Sequence, residues 1–228
     1  MLIDAASSDG ELEAMVVRRL AGTPIEQVLG WAEFCGLRIL LDPGVFVPRR
    51  RTELLVRAAL AMGGTVVVDL CCGSGAIAAA FADQAPLAEV YACDVDHAAV
   101  GCARRNLPDG NVFEGDLFEA LPPDLRGRVD LLLVNAPYVP TAAISLMASE
   151  ARDHEPLNAL DGGEDGLAVQ HRVIADAPQW LAPGGHLLIE TSDVQCAATL
   201  AAMGAVGLSA RAASDDELGA TIAIGRRS

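Results

Sequence analysis

The sequence predicts an α/β protein built on a doubly wound, mostly parallel sheet of seven strands that ends in an antiparallel hairpin. Three observations carry this expectation. From residue 65 onward, apolar and β-branched runs of strand length alternate with segments of helix length. The first run passes through a glycine-bearing loop, Asp69-Leu-Cys-Cys-Gly-Ser-Gly75, straight into a small-residue helical stretch. The last two runs, 207–213 and 221–225, flank Asp215-Asp216 with no room for a crossover helix, so they pair antiparallel.

The elements follow in order. Residues 1–9 read as frayed. Over 9–21, Leu12, Val16, Val17 and Leu20 recur at helical spacing, and Gly22 stops the helix. Thr23-Pro24 then opens a short helix to residue 29, with Pro at its first position. Residues 31–41 alternate, turn at Asp42-Pro43-Gly44 and return as 45–47, the pattern of a β-hairpin. Pro48 and the basic run Arg49-Arg50-Arg51 lead to Thr52, placed to cap a helix over 53–62. Strands are expected at 65–70, 89–94, 112–114, 129–134 and 186–191, with 112–114 at the sheet edge. Helices are expected at 76–82, 98–106, 167–181 and 193–203. Residues 139–165 are too long and polar for a simple connection, which marks them as functional. The domain division is 1–48, a helical segment with a β-hairpin, and 49–228, the sheet domain.

Composition narrows the function. The net charge of −15 disfavours a nucleic-acid partner, because duplex binding needs a basic face. No apolar run approaches the ~20 residues of a membrane span. The amino terminus lacks the basic and apolar regions of a signal peptide, so a cytoplasmic location is expected. There is no Lys; all sixteen basic residues are Arg, which reads as genome composition. The six cysteines form no CxxC pair and no metal spacing, so they are expected as buried thiols and no metal is expected.

Two stretches carry chemistry. Glycines in the 71–75 loop allow close backbone approach to a ligand. Asp94 ends the second strand of the sheet, 19 residues after Gly75, where a carboxylate accepts from ribose hydroxyls. Asp116 follows the third and is placed to accept from an adenine amine, with Val95 and Leu117 on either side of the ring. A dinucleotide fits less well, since the G-x-G-x-x-G fingerprint is incomplete and no basic residue opens the following helix. A sulfonium cofactor carries no phosphate and suits an acidic chain. The second stretch is Asn135-Ala136-Pro137-Tyr138, at the carboxyl end of a buried strand. Asn offers an acceptor oxygen for an amide or amine, Pro ends the ladder, and Tyr offers a flat wall. Taken alone, it fits an amide or an adenine amine.

Several motifs occur together and in order. They are Gly22-Thr-Pro-Ile-Glu, Val47-Pro-Arg, Thr52-Glu-Leu-Leu, Asp69-Leu with Gly73-Ser-Gly-Ala-Ile, Gly115-Asp-Leu-Phe, Asn135-x-Pro-Tyr, and His154-Glu-Pro with Ala159-Leu-Asp-Gly-Gly-x-Asp-Gly-Leu167. On these the chain resembles the protein-(glutamine) methyltransferases of the HemK/PrmC type, release-factor glutamine methyltransferases, over roughly 22–195. The resemblance implies a Rossmann-like methyltransferase sheet and S-adenosylmethionine as cofactor. Its contacts would be Asp69, Cys71, Cys72, Gly73, Ser74, Gly75, Asp94, Val95, Asp116, Leu117 and Asn135. It implies a protein substrate whose glutamine, possibly in a release factor, lies on Asn135, Ala136, Pro137 and Tyr138, which perform the transfer. Apart from the resemblance, the basic run Arg49–Arg51 reads either as a solvated loop or as a docking point for the substrate or for the cofactor carboxylate, with Arg49 the expected substrate contact. His154 and Glu155 are placed to line the target pocket.

The chain departs from the family pattern at four places. Ala136 stands where the family has the first Pro of Asn-Pro-Pro-Tyr, as in an offshoot whose substrate is unidentified. Pro48-Arg-Arg-Arg-Thr52 stands for Pro-Arg-Pro-Glu-Thr, Cys71 stands for the first loop glycine, and the helical region before Gly22 is short. Ala136 keeps the backbone acceptor but not the fixed φ, so a looser site is expected. A nucleic-acid adenine-amine methyltransferase, a small-molecule methyltransferase and a non-catalytic binding protein are the alternatives.

Overall fold

The computed structural model describes all 228 residues. A seven-stranded sheet, a separate two-stranded ribbon and a set of flanking helices make up the chain. Helices α1 (Leu2–Ala5), α2 (Asp9–Leu20) and α3 (Ile25–Leu29) precede a two-stranded antiparallel ribbon, β1 (Trp31–Phe34) and β2 (Leu37–Leu40). The main sheet contains β3 (Val66–Leu70), β4 (Glu89–Asp94), β5 (Asn111–Glu114), β6 (Val129–Val134), β7 (Leu181–Thr191), β8 (Ser209–Asp215) and β9 (Ala220–Arg226). Its order is β5-β4-β3-β6-β7-β9-β8, with β9 antiparallel to both neighbours and the other pairings parallel. This is the seven-stranded doubly wound arrangement expected, with its terminal antiparallel hairpin and β5 at an edge.

The sheet separates two apolar layers. On one face pack α4 (Glu53–Met62), α5 (Ala76–Gln84) and α6 (His97–Asn106). On the other pack α8 (Ala168–Trp180) and α9 (Asp193–Ala205). A short helix, α7 (Ser149–His154), lies in the long connection after β6. Central strands β3 and β6 are buried on both faces, which is why they read as unbroken apolar runs rather than alternating ones. Strand order reverses between β3 and β6, and their carboxyl ends meet in register at Leu70 and Val134. A crevice opens at such a switch point because the connections leave in opposite directions.

Four local expectations are corrected. Residues 2–5 form a helical turn instead of a frayed end. The ribbon turns at Cys35-Gly36, both at positive φ (51° and 79°), and not at Asp42-Gly44, so 45–47 is not a strand. Val45 and Val47 instead pack in a separate small cluster with Ala99 and Cys102 of α6. Helix α2 forms where expected, though none of its residues is fully buried: Val17 is 60% and Leu20 82% exposed. Pro24 caps α3 from outside it rather than opening its first turn. Finally, Thr52 ends a 3-10 turn and makes no capping bond to α4. Its hydroxyl is used elsewhere.

Candidate active site

A solvent-open cavity lies over the carboxyl ends of β3, β4 and β6. One side is built by the loop after β3. Cys71 takes φ 58° and Gly73 φ 54°, so two nearly adjacent residues stand in the left-handed region, which favours glycine. The turn is held by Asp94 at the end of β4. Asp94 Oδ2 accepts from Gly73 N–H at 2.8 Å, and Oδ1 accepts from Asp96 N–H at 2.9 Å. Burial lifts the Asp94 carboxyl above its ordinary range, against the hydrogen bonds from Asp96, Gly73 and Val95.

Cys71, Gly73, Asp94, Val95, Asp116 and Leu117 all line the cavity, as do Asn135, Ala136, Pro137, Tyr138 and Arg49. Asp69, Cys72, Ser74, Gly75 and His154 do not. Asp69 is fully buried behind the loop, with Oδ2 accepting from Ala78 N–H at 3.2 Å, so it anchors α5. Gly75 permits close packing of a different kind: a Cβ there would lie 2.9 Å from Ala103 Cβ in α6. His154 packs beside Gly22, where a Cβ would lie 3.4 Å from its Nε2, and so joins α7 to the amino-terminal segment. Asp116 reaches the cavity, but its Oδ2 already accepts from Arg172 at 2.6 Å.

The other side of the cavity is the segment after β6. Asn135 Nδ2 donates to Thr52 Oγ1 at 3.3 Å. That bond uses the amide's donor end and leaves Oδ1 to accept from a ligand. Ala136 is 1% exposed, and its backbone carbonyl adds a second acceptor next in the chain. The segment is tied down by residues with no catalytic signature. Gln195 Nε2 donates to the Tyr138 carbonyl at 2.9 Å and to the Asp165 carbonyl at 3.0 Å. Val139 N–H donates to the Leu160 carbonyl, and Gly162 N–H to that of Val139. The Ala159–Leu167 motif is therefore the clamp that holds Tyr138. Gly166, at φ 77°, lies so close that a Cβ would fall 2.3 Å from the Tyr138 carbonyl oxygen.

The basic run divides by geometry. A 3-10 turn sends Arg49 and Arg51 to the cavity and Arg50 to a separate surface hollow. Arg49 Nη2 donates to Glu155 Oε1 at 2.6 Å, and Val47 N–H donates to the same oxygen at 3.3 Å. Arg51 Nε donates to Glu190 Oε1 at 3.1 Å, and its Nη2 donates to the Tyr138 hydroxyl. Both carboxylate side chains are buried, 0% exposed for Glu155 and 3% for Glu190, while the arginines stay 32% and 41% exposed. Arg172, Gln195, Thr52 and Glu190 belong to the site without having been singled out for it in the sequence. Each acts through a contact 30 or more residues away.

A seven-stranded sheet of this order, with a cavity over the switch point and an Asn-x-Pro-Tyr turn in its wall, defines a methyltransferase-type protein. The sequence matches the Methyltransferase small domain over residues 36–154. It is 41% identical over 182 residues to the release factor glutamine methyltransferase of Geobacter sulfurreducens, covering 77% of this chain and 63% of that protein. The Streptomyces coelicolor protein of the same name is 39% identical, covering 83% and 70%. A 4-amino-L-phenylalanine/4-methylamino-L-phenylalanine methyltransferase of Streptomyces pristinaespiralis is also 39% identical, covering 87% and 71%. The chain belongs to the release factor glutamine methyltransferase family. It spans about two thirds of the length of these relatives.

Solved structures agree on the fold. A methyltransferase from Pyrococcus furiosus superposes with a TM-score of 0.65 at 17% identity, over 95% of this chain and 98% of that one. A release factor-specific protein-(glutamine-N5) methyltransferase from Alicyclobacillus acidocaldarius gives 0.50 at 23%, over 80% and 94%. No helix is long and apolar enough to cross a membrane.

Proposed function

We propose that the protein transfers a methyl group from S-adenosylmethionine to the side-chain amide nitrogen of a glutamine presented by another protein. The observation that carries this reading is the Thr52–Asn135 bond, which occupies the donor end of the Asn135 amide and leaves its oxygen free to accept an N–H. The residues present fit the cofactor. Asp94 and Asp96 offer carboxylates for hydroxyls, and Leu117 and Val95 offer apolar walls. The 71–75 loop carries no basic side chain of the kind a phosphate would use. Bound S-adenosylmethionine would supply an electrophilic methyl on a sulfonium.

The chain's own residues meet the remaining difficulty, which is that an amide nitrogen has its lone pair delocalised. Asn135 Oδ1 and the carbonyl of residue 136 each accept one N–H, which fixes the nitrogen and stabilises positive charge developing on it. Tyr138 packs against the amide plane. Ala136 preserves the carbonyl, and the Gln195, Leu160 and Gly162 contacts hold the turn that a second proline would otherwise stiffen.

A second reading, methylation of an amino group on a free aromatic amino acid, is favoured by the Streptomyces pristinaespiralis relative. Labelled methyl transfer into a lysate, followed by peptide mapping, decides between them. Label on glutamine supports the first reading, and label confined to small molecules supports the second. Label in nucleic acid would overturn both. Asn135→Ala should abolish transfer while cofactor binding persists; full activity in that variant would remove the amide clamp.

A further inference from the structure

We propose that Arg51 and the Tyr138 hydroxyl form a carboxylate-binding subsite at the acceptor end of the cavity, so that the molecule methylated at Asn135 carries a carboxylate remote from its reacting nitrogen. The inference rests on the acceptor role given above to Asn135–Tyr138 and adds the chemistry of the acceptor's far end.

The guanidinium is fixed from behind. Its Nε is held by Glu190, its Nη2 by the Tyr138 hydroxyl, and its centre lies 5.8 Å from the centroid of that ring. Nη1 donates to nothing in the protein, and the side chain remains 41% exposed on the cavity wall. The Tyr138 hydroxyl accepts the Arg51 bond and donates to nothing. Burial raises the Tyr138 hydroxyl above its ordinary range, with Arg51 opposing, so the proton is present at neutral pH. Both N–H groups of Nη1, the second N–H of Nη2 and the Tyr138 O–H are thus left as donors without acceptors, with Nη2 and the hydroxyl in direct contact. Such a pair matches the two oxygens of a carboxylate.

The rest of the cavity agrees in sign. Arg49, likewise paired with a buried carboxylate, keeps further N–H donors on the same wall as Arg51. Arg172, the third arginine of the cavity wall, is taken by Asp116. At the opposite end Asp94, Asp96 and Asp116 would repel an anion. In a chain of net charge −15, a donor-rich basic corner beside the acceptor turn is a selective feature. The carboxylate has two sources: the α-carboxylate of a free amino acid, or an acidic side chain near a glutamine in a peptide.

The test is calorimetric binding to the protein saturated with S-adenosylhomocysteine, using two matched pairs of probes. One pair is 4-amino-L-phenylalanine and its carboxamide. The other is a glutamine peptide with a neighbouring Glu and the same peptide with Gln in its place. The acid of at least one pair should bind 10-fold or more tightly than its neutral partner. Preference in the first pair assigns the free amino acid; preference in the second assigns the peptide. Arg51→Gln should remove the preference and Arg51→Lys should keep part of it. Tyr138→Phe should reduce it without disturbing the Arg51–Glu190 pair. Affinity for S-adenosylhomocysteine should stay within 2-fold throughout. Equal binding of acid and neutral probes, or no binding of any probe, overturns the subsite. If the preference is present but Asn135→Ala still transfers methyl, the acceptor role of Asn135 falls and the subsite stands.

Discussion

Thr52 and Asn135 are 83 residues apart, yet the Asn135 amide donates to the Thr52 hydroxyl at 3.3 Å in the wall of the cavity. Thr52 is 3% exposed and makes no side-chain bond to the helix it precedes. Its effect is to fix which end of the Asn135 amide is left free at the cavity. Thr52→Val keeps the shape and removes the partner. We expect kcat to fall about 5-fold, in line with a net hydrogen-bond contribution of about 1 kcal/mol, while cofactor affinity holds. Thr52→Ser should restore the rate. Equal loss of kcat and cofactor binding in Thr52→Val would mark a purely structural role.

Asp94 joins the ends of two loops through Gly73 and Asp96 and lines the cavity, where its proposed role is to accept from the ribose of the cofactor. Asp94→Ala should weaken S-adenosylmethionine binding by roughly 10- to 100-fold, the scale of hydrogen bonds to a charged group at about 1.5–3 kcal/mol. Unchanged affinity in equilibrium dialysis would remove the ribose assignment.

Gly166 and Gly204 make a matched pair. A Cβ on Gly166 would meet the Tyr138 carbonyl and Gln195 Nε2 at 2.3 and 2.4 Å, at φ 77°. Gly166→Ala should cost at least about 2 kcal/mol and lower Tm by roughly 4–8 °C, with activity lost as Tyr138 shifts. Gly204 sits within α9 with nothing within 4 Å of its Cβ position. Gly204→Ala should stabilise by about 0.5–1 kcal/mol. Calorimetric Tm values check both.

Asp69 gives a pH signature. Complete burial pushes its carboxyl from 3.8 up to about 8, with Asp94 adding to the rise and the Ala78 N–H opposing it. Between these values the folded state holds a proton that the unfolded state has released. Stability from this group is therefore fully present below about pH 4 and lost as pH rises through about 8. Asp69→Asn removes this titration. Its Tm relative to the natural protein should climb between pH 5 and 9; a constant difference would contradict the burial argument.

The sheet was legible because each of its elements is a local event. The apolar runs at 66–70 and 129–134 are long enough, and buried enough on both faces, to show as strands without any partner. The loop 71–75 and Asp94 were legible as well, since glycine placement and a strand-end carboxylate are short-range signals. The ribbon turn was misplaced because Asp42-Pro43-Gly44 is the stronger local turn signal, while Cys35 takes its positive φ in spite of its side chain. Pairing with Ala32 and Ile39 decides that turn.

The division of labour at the cavity follows the same reasoning. Sequence alone marked Asn135–Tyr138 and the run Arg49–Arg51 as sites of chemistry, because acceptor, flat wall and positive charge are properties of the residues themselves. Only the tertiary structure separated Arg50 from its neighbours, seated Arg49 on Glu155 and Arg51 on Glu190, and turned the Asn135 amide with Thr52. It also removed His154 from the cavity to pack beside Gly22, and gave the 159–167 motif its place as the clamp on Tyr138. The physical reason is one of range. Residue type sets which bonds a group is able to make, but in a buried wall the free donors and acceptors are those left over after long-range partners are satisfied.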